Sequence, residues 1–231
     1  METKKTAFLF PGQGAQEVGM GQTLAQEYAI AADIFEQADE ILGFSISQLS
    51  WAGPEGDLKD TINTQPALLT HSTAALKVFQ ELAPGFKPGF VAGHSMGEFS
   101  ALVAAGALSF AEALKLVRRR GELMKSAGDT SPGGMAAILG LEIPALEEIC
   151  ANASSTEKVV QVANDNCPGQ VVISGDKAAL EIAMQAASEA GARKVVPLAV
   201  SIAAHSPLMS NAQEDFNQEV EAAPFTAPIM P

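Results

Sequence analysis

Ser95 is the residue in this chain best placed to act as a nucleophile. It stands in Gly93-His94-Ser95-Met96-Gly97, a G-x-S-x-G, with Glu98 following. Residues 88–92 before it are short and apolar enough for a buried strand, and residues 99–105 after it form an alanine-rich helical stretch. Between a strand and a helix, this spacing makes a nucleophile elbow. The chain turns so sharply that the flanking positions can carry no side chain, and the hydroxyl stands clear at the strand's end. The amide of Met96 then opens the helix and faces any anion forming on a carbonyl attached to the serine.

Such a serine needs a base to take its proton. The chain has three histidines. His94 adjoins the serine, and neighbours on extended backbone point to opposite faces. His71 falls inside a helical stretch and reads as a satisfied structural histidine. By elimination the candidate base is His205, in the loop Ser201-Ile202-Ala203-Ala204-His205-Ser206-Pro207 after the last predicted strand. No aspartate just before it offers an orienter. Asp129, Asp165 and Asp176 sit in or beside loops elsewhere, so a plain Ser-Asp-His triad is not visible.

Two further residues invite chemistry. Gln13 lies in Gly12-Gln13-Gly14, a tight loop at the end of an apolar stretch, Thr6-Ala7-Phe8-Leu9-Phe10, that Pro11 stops. A dinucleotide fingerprint would need glycine at position 17, where Glu17 stands. Gln13 can serve an oxyanion or simply bond its own loop. Arg120 lies on the apolar face of a helix over residues 110–125, while Arg118 and Arg119 fall on its wet side. A buried guanidinium must meet an anion. That anion is a protein carboxylate, with Glu98 a candidate, or a substrate carboxylate held by two hydrogen bonds.

The elements that must position these residues follow from periodicity and punctuation. A helix is expected over residues 23–42, closed by Gly43, and another from Gln65-Pro66 to Leu82, with Pro66 in its first turn. Residues 128–134 read as a linker. Beyond them the order strand, helix, strand, strand, helix, strand over residues 135–200 is that of a ferredoxin-like unit. The expected fold is therefore α/β. A hydrolase-like large subdomain with a parallel sheet and the elbow (residues 1–127 and 199–231) carries an inserted ferredoxin-like βαββαβ small subdomain (residues 128–198).

The chain has 231 residues and a net charge of −13, from 27 acidic against 14 basic residues. That charge disfavours nucleic acid and anionic membrane surfaces as partners. No signal peptide, membrane span, metal-ligand cluster or cofactor loop is visible. Cys150 and Cys167 show no C-x-x-C pattern, so reduced thiols in a cytoplasmic protein are expected.

Taken together, the motifs resemble the malonyl-CoA:acyl carrier protein transacylases of fatty acid synthesis and the acyltransferase domains of polyketide synthases. The matching stretches are Phe10-Pro11-Gly12-Gln13-Gly14, Thr64-Gln65-Pro66-Ala67, Gly93-His94-Ser95-Met96-Gly97-Glu98 and Arg120-Gly121. Asn166-Cys167-Pro168-Gly169-Gln170 and Ala204-His205-Ser206 complete the set. The resemblance implies that Ser95 takes the acyl group from coenzyme A and that His205 is its base. It implies that the amides of Gln13 and Met96 form the oxyanion hole and that Arg120 grips the free carboxylate of malonate. It also implies a ping-pong transfer to an acyl carrier protein, with a coenzyme A thioester as substrate, no bound cofactor, and a monomer. Family members run well past the position of Pro231, so the last part of the large subdomain, with the group that orients the histidine, is expected to be absent. Ala203-Ala204 matches neither the malonyl nor the methylmalonyl pattern of polyketide acyltransferases, which leaves the α-substituent open. The rival expectations are a serine esterase or thioesterase, a polyketide acyltransferase for another α-substituted malonyl group, and an inactive module that docks a carrier protein.

Overall fold

The computed structural model describes residues 6–198, 200 and 202–231. The polar start and two positions in the stretch leading to His205, Ala199 and Ser201, lie outside them. The chain divides into two compact units, Met1–Glu122 with Gln218–Pro231, and Leu123–Asn217.

In the first unit β1 (Ala7–Phe10) is followed by α1 (Gln22–Glu27), α2 (Ala29–Leu42), α3 (Ile46–Ala52), α4 (Glu55–Lys59) and α5 (Thr61–Leu82). Then come β2 (Phe90–Gly93), α6 (Gly97–Ala104) and α7 (Phe110–Thr130). β1 and β2 pair in parallel, with Ala7 opposite Phe90 and Phe10 opposite Gly93. Parallel strands need a crossover, and the helices from α1 to α5 supply it. The two strands are not the buried pair that their apolar sequences suggest. Leu9 is 76% exposed and Phe90 49%. Inward and outward positions alternate along each strand, and only the inward ones find cover. Phe8, for example, packs against Phe79 and Phe86 with ring centroids 5.2 and 5.9 Å away.

The expected helix over residues 23–42 is two helices, because Tyr28 adopts an extended conformation between them. Leu24, Tyr28 and Ile30 all pack on the same cluster of Ala31, Ile34, Phe35, Ala74 and Val78, so the apolar periodicity runs across the break. α5 begins at Thr61, a turn earlier than Gln65-Pro66 suggests. The Asp60 carboxylate caps it by accepting from the Ile62 amide at 3.1 Å. Pro66 therefore lies inside the helix and cannot donate to the Ile62 carbonyl. Arg118 Nη1 donates to that carbonyl instead, at 3.4 Å. Arg118 is thus only partly on the wet side: its guanidinium also donates to Asn63 Oδ1 at 3.0 Å and lies 5.2 Å from the Phe44 ring centroid.

α7 continues to Thr130, into the stretch read as a linker. The division between the units consequently falls inside α7, at Glu122 and Leu123, and inside α10 (Ser210–Ala222), rather than at residues 127/128 and 198/199. Gly128 does not interrupt the helix, since glycine in a helix costs only about 1 kcal/mol and packing outweighs it. The second unit also holds β3 (Gly133–Leu139), α8 (Ile143–Ala153), β4 (Val160–Cys167), β5 (Gln170–Asp176), α9 (Lys177–Glu189) and β6 (Lys194–Pro197). Their sheet has the order β4-β5-β3-β6, antiparallel throughout, which is the ferredoxin-like arrangement expected from βαββαβ. Both helices pack on one sheet face around Ile138, Leu146, Ile173 and Ala183. β4 runs on through two register shifts to Cys167, so only Pro168-Gly169 separate it from β5. Both cysteines are free thiols.

Candidate functional site

The elbow forms where β2 ends at Gly93 and α6 begins at Gly97. Ser95 has a φ of 53°, in the left-handed region that non-glycine residues rarely enter. Close approach explains the two flanking glycines. A Cβ on Gly93 would collide with the backbone of Gly97 and Glu98, and one on Gly97 would stand 2.5 Å from the Phe10 carbonyl oxygen. The His94 amide donates to that same carbonyl at 3.0 Å, which ties the elbow to the end of β1.

Two main-chain donors at the positions singled out by the motifs are unspent. Among the described residues, the amides of Gln13 and Met96 donate no hydrogen bond. Met96 is 1% exposed, so water has little access to its N–H. The Gln13 side chain is anchored, its Oε1 accepting from Thr61 Oγ1 at 2.8 Å. It therefore bonds to the start of α5 and not to its own loop.

Arg120 reaches this group from α7. Its Nη2 donates to Ser95 Oγ at 3.2 Å and its Nη1 to Gln65 Oε1 at 2.8 Å. Among the described residues no carboxylate forms an ion pair with it. Glu98, the protein carboxylate suggested as its partner, is exposed and acts on it only through its charge. Burial lowers the pKa of Arg120 and the Glu98 charge opposes that shift, so the guanidinium is a desolvated cation with neutral hydrogen-bond partners. Gly121 allows the approach: a Cβ there would lie 2.8 Å from the Thr61 carbonyl oxygen and 2.9 Å from Ile62 Cα.

His205 belongs to the second unit. It too has a positive φ, of 59°, and with Ser95 it makes up the non-glycine residues of that kind among those described. Its imidazole is exposed while its main chain is fixed. The His205 carbonyl accepts from Gln161 Nε2 at 2.9 Å, and the buried Ser206 hydroxyl donates to the Ala203 carbonyl at 2.7 Å. Ala203 is fully buried beside Gly133, where a Cβ would stand 2.5 Å from its methyl carbon. Strained backbone at two polar residues is a usual mark of a functional position.

Residues 7–230 match the acyl transferase domain family. The chain is 48% identical over 216 residues to the malonyl CoA-acyl carrier protein transacylase of Staphylococcus aureus (strain MSSA476), which covers 94% of this chain and 69% of that protein. The chain belongs to the acyl transferase family. Among solved structures, an acyl carrier protein S-malonyltransferase from Vibrio cholerae superposes with a TM-score of 0.94 at 45% identity, over 99% of this chain and 74% of that one. A malonyl-transacylase solved in complex with a type II PKS acyl-carrier protein gives 0.94 at 40% identity, over 99% and 73% of the two chains.

Within this acyl transferase, the first unit brings Ser95, Arg120 and Gln13 into one hydrogen-bonded set, through Gln65 and Thr61. Sequence reasoning assigned no role to those last two. The available signal was a threonine and a glutamine four residues apart, hence on one helix face. His71 differs from the expected satisfied histidine: its Nδ1 is buried without a hydrogen-bond partner, and burial lowers its pKa. Among the described residues no group of His, Cys, Asp and Glu could hold a metal ion, and no helix is long and apolar enough to cross a membrane.

Proposed function

We propose that the chain moves a malonyl group from coenzyme A to the phosphopantetheine thiol of an acyl carrier protein, in fatty acid biosynthesis, through a malonyl ester on Ser95. Ser95 Oγ attacks the thioester carbonyl as His205 takes its proton. The carbonyl oxygen becomes an oxyanion held by the amides of Gln13 and Met96. Collapse of the tetrahedral adduct breaks the carbon–sulfur bond, and the proton on His205 passes to the departing coenzyme A thiolate. The carrier thiol then enters by the same steps in reverse, losing its proton to His205 and returning Ser95 to its hydroxyl. The chain acts as a monomer, with malonyl-CoA and the carrier protein as partners and no resident cofactor.

The observation that carries this reading is Arg120, a desolvated guanidinium 3.2 Å from Ser95 Oγ whose hydrogen-bond partners are neutral. An acyl group with a free carboxylate one carbon beyond its carbonyl supplies the missing anion. An acetyl group leaves the cation unpaired, and a site built around a buried charge rejects the analogue that lacks its partner.

Intact mass after mixing with malonyl-CoA, without carrier protein, tests the reading. One malonyl group is expected on the wild type and none on Ser95→Ala. A wild type that stays unlabelled while free coenzyme A accumulates would make the chain a thioesterase.

A further inference from the structure

Arg120, Gln65, Thr61 and Gln13 form an unbroken chain of hydrogen bonds, and chemistry fixes its direction. An arginine can only donate. Its Nη1 donates to Gln65 Oε1 at 2.8 Å, which leaves the Gln65 amide nitrogen to face the other way. That nitrogen donates to Thr61 Oγ1 at 3.1 Å. The threonine hydroxyl, having accepted, has one hydrogen to give, and gives it to Gln13 Oε1 at 2.8 Å. Gln65 is fully buried and Thr61 7% exposed, so water competes little for these bonds. Thr61 is the link at which the arginine's side of the site, reaching it through Gln65, meets the Gln13 loop. The loop also lies close against the elbow, where a Cβ on Gly12 would stand 2.5 Å from the His94 carbonyl oxygen. Its other hydrogen bonds are local, Gly14 N to Gln16 Oε1 at 2.7 Å and Ala15 N to Gly12 O at 3.4 Å.

Resting on the function proposed above, we infer that Thr61 is a positioning residue that couples the carboxylate-binding Arg120 to the oxyanion amide of Gln13. Thr61 touches no substrate. It holds the Gln13 amide where the oxyanion will form, and it registers, through Gln65, where the guanidinium lies. Its loss therefore acts on the transition state, in which the oxyanion exists, more than on the bound thioester.

The test uses the full chain with Thr61→Val, which keeps the shape and removes the hydroxyl, and Thr61→Ser, which restores it. Without substrate, the backbone 15N order parameter of Gln13 is expected near the rigid value of about 0.85 in wild type and Thr61→Ser, and below about 0.6 in Thr61→Val. With malonyl-CoA, Thr61→Val is expected to lower the rate constant of Ser95 acylation about tenfold, with KM changed less than about twofold. Thr61→Ser recovers the rate. Gln13→Met breaks the same link from the other end, so the double variant should be no slower than either single one. The inference is overturned by a Gln13 amide as rigid in Thr61→Val as in wild type, by a change confined to KM, or by additive losses in the double variant. If the wild type forms no malonyl ester, the functional reading falls, while the order parameters still decide whether Thr61 holds the loop. If Thr61→Val fails to fold, Gln13→Met and its rate decide alone, and wild-type speed there overturns the inference.

Discussion

Gly121→Ala sets two known effects against each other at one atom. Replacing a helical glycine by alanine stabilises by about 1 kcal/mol. Here the added Cβ would meet the Thr61 carbonyl oxygen at 2.8 Å and Ile62 Cα at 2.9 Å, both backbone atoms that no side-chain rotation can move aside. Restoring ordinary contact requires α7 and the first turn of α5 to part by about 0.6 Å, an overpacking strain of about 1–3 kcal/mol. The net expectation is a loss of about 0–2 kcal/mol, read as a lower urea midpoint of the first unit. The catalytic effect should be larger than the thermodynamic one. The displaced turn carries Thr61 and Gln65, and the displaced helix carries Arg120, so the guanidinium moves relative to Ser95. A misplacement approaching 1 Å can cost up to about 100-fold, so a fall of about tenfold in malonyl loading is expected. Stopped-flow release of coenzyme A measures it. A variant about 1 kcal/mol more stable than wild type, loading malonate at full speed, would refute the reasoning, because the two helices could not then be in contact at this glycine.

Other perturbations reach different parts of the argument. Arg120→Ala should lower malonyl loading by about 100-fold while leaving acetyl loading nearly unchanged; an unchanged ratio of the two rates would make the arginine structural. Burial raises the Cys150 pKa to about 11 while Cys167 is exposed, so iodoacetamide near pH 8 should alkylate Cys167 alone in the folded chain and both thiols in urea. Intact mass distinguishes the two. Burial also holds the His71 pKa below its ordinary value of 6.5, so the unfolded chain binds a proton that the folded chain declines. Stability is then lost as pH falls through the imidazole range, and His71→Gln should reduce the drop in urea midpoint between about pH 7.5 and 5.5. An equal drop in both proteins would mean that His71 plays no part in it.

Much of this architecture was legible in the sequence because its signals are local. The G-x-S-x-G needs its glycines wherever it folds, and βαββαβ order specifies one antiparallel arrangement. The misreadings have a common cause, in that tertiary contacts supply what local rules assume the chain must provide for itself. α7 passes through Gly128 because packing outweighs propensity. α5 tolerates Pro66 because a side chain from another helix takes over the abandoned carbonyl. α1 and α2 read as one helix because both bury the same face. At the candidate site, Ser95, Met96 and Arg120 declare themselves by motif or by helix face, while Thr61 and Gln65 do not. Their roles depend on partners 48 and 55 residues away in the chain, which no periodicity records.

The proline inside α5 also decides where this structure should fail first. With no amide at Pro66, the turn bearing Thr61 and Gln65 is fastened to the rest of its helix by a weakened ladder. It is secured from outside by the Asp60 cap and by Arg118, whose Nε meanwhile pairs with Glu122 at 2.8 Å. Such a turn can open as a small unit of its own, at a free energy well below that of global unfolding. On heating, the wiring of the site should loosen while the helices and both sheets stand, so that turnover fades at temperatures where the circular dichroism still reports an intact fold.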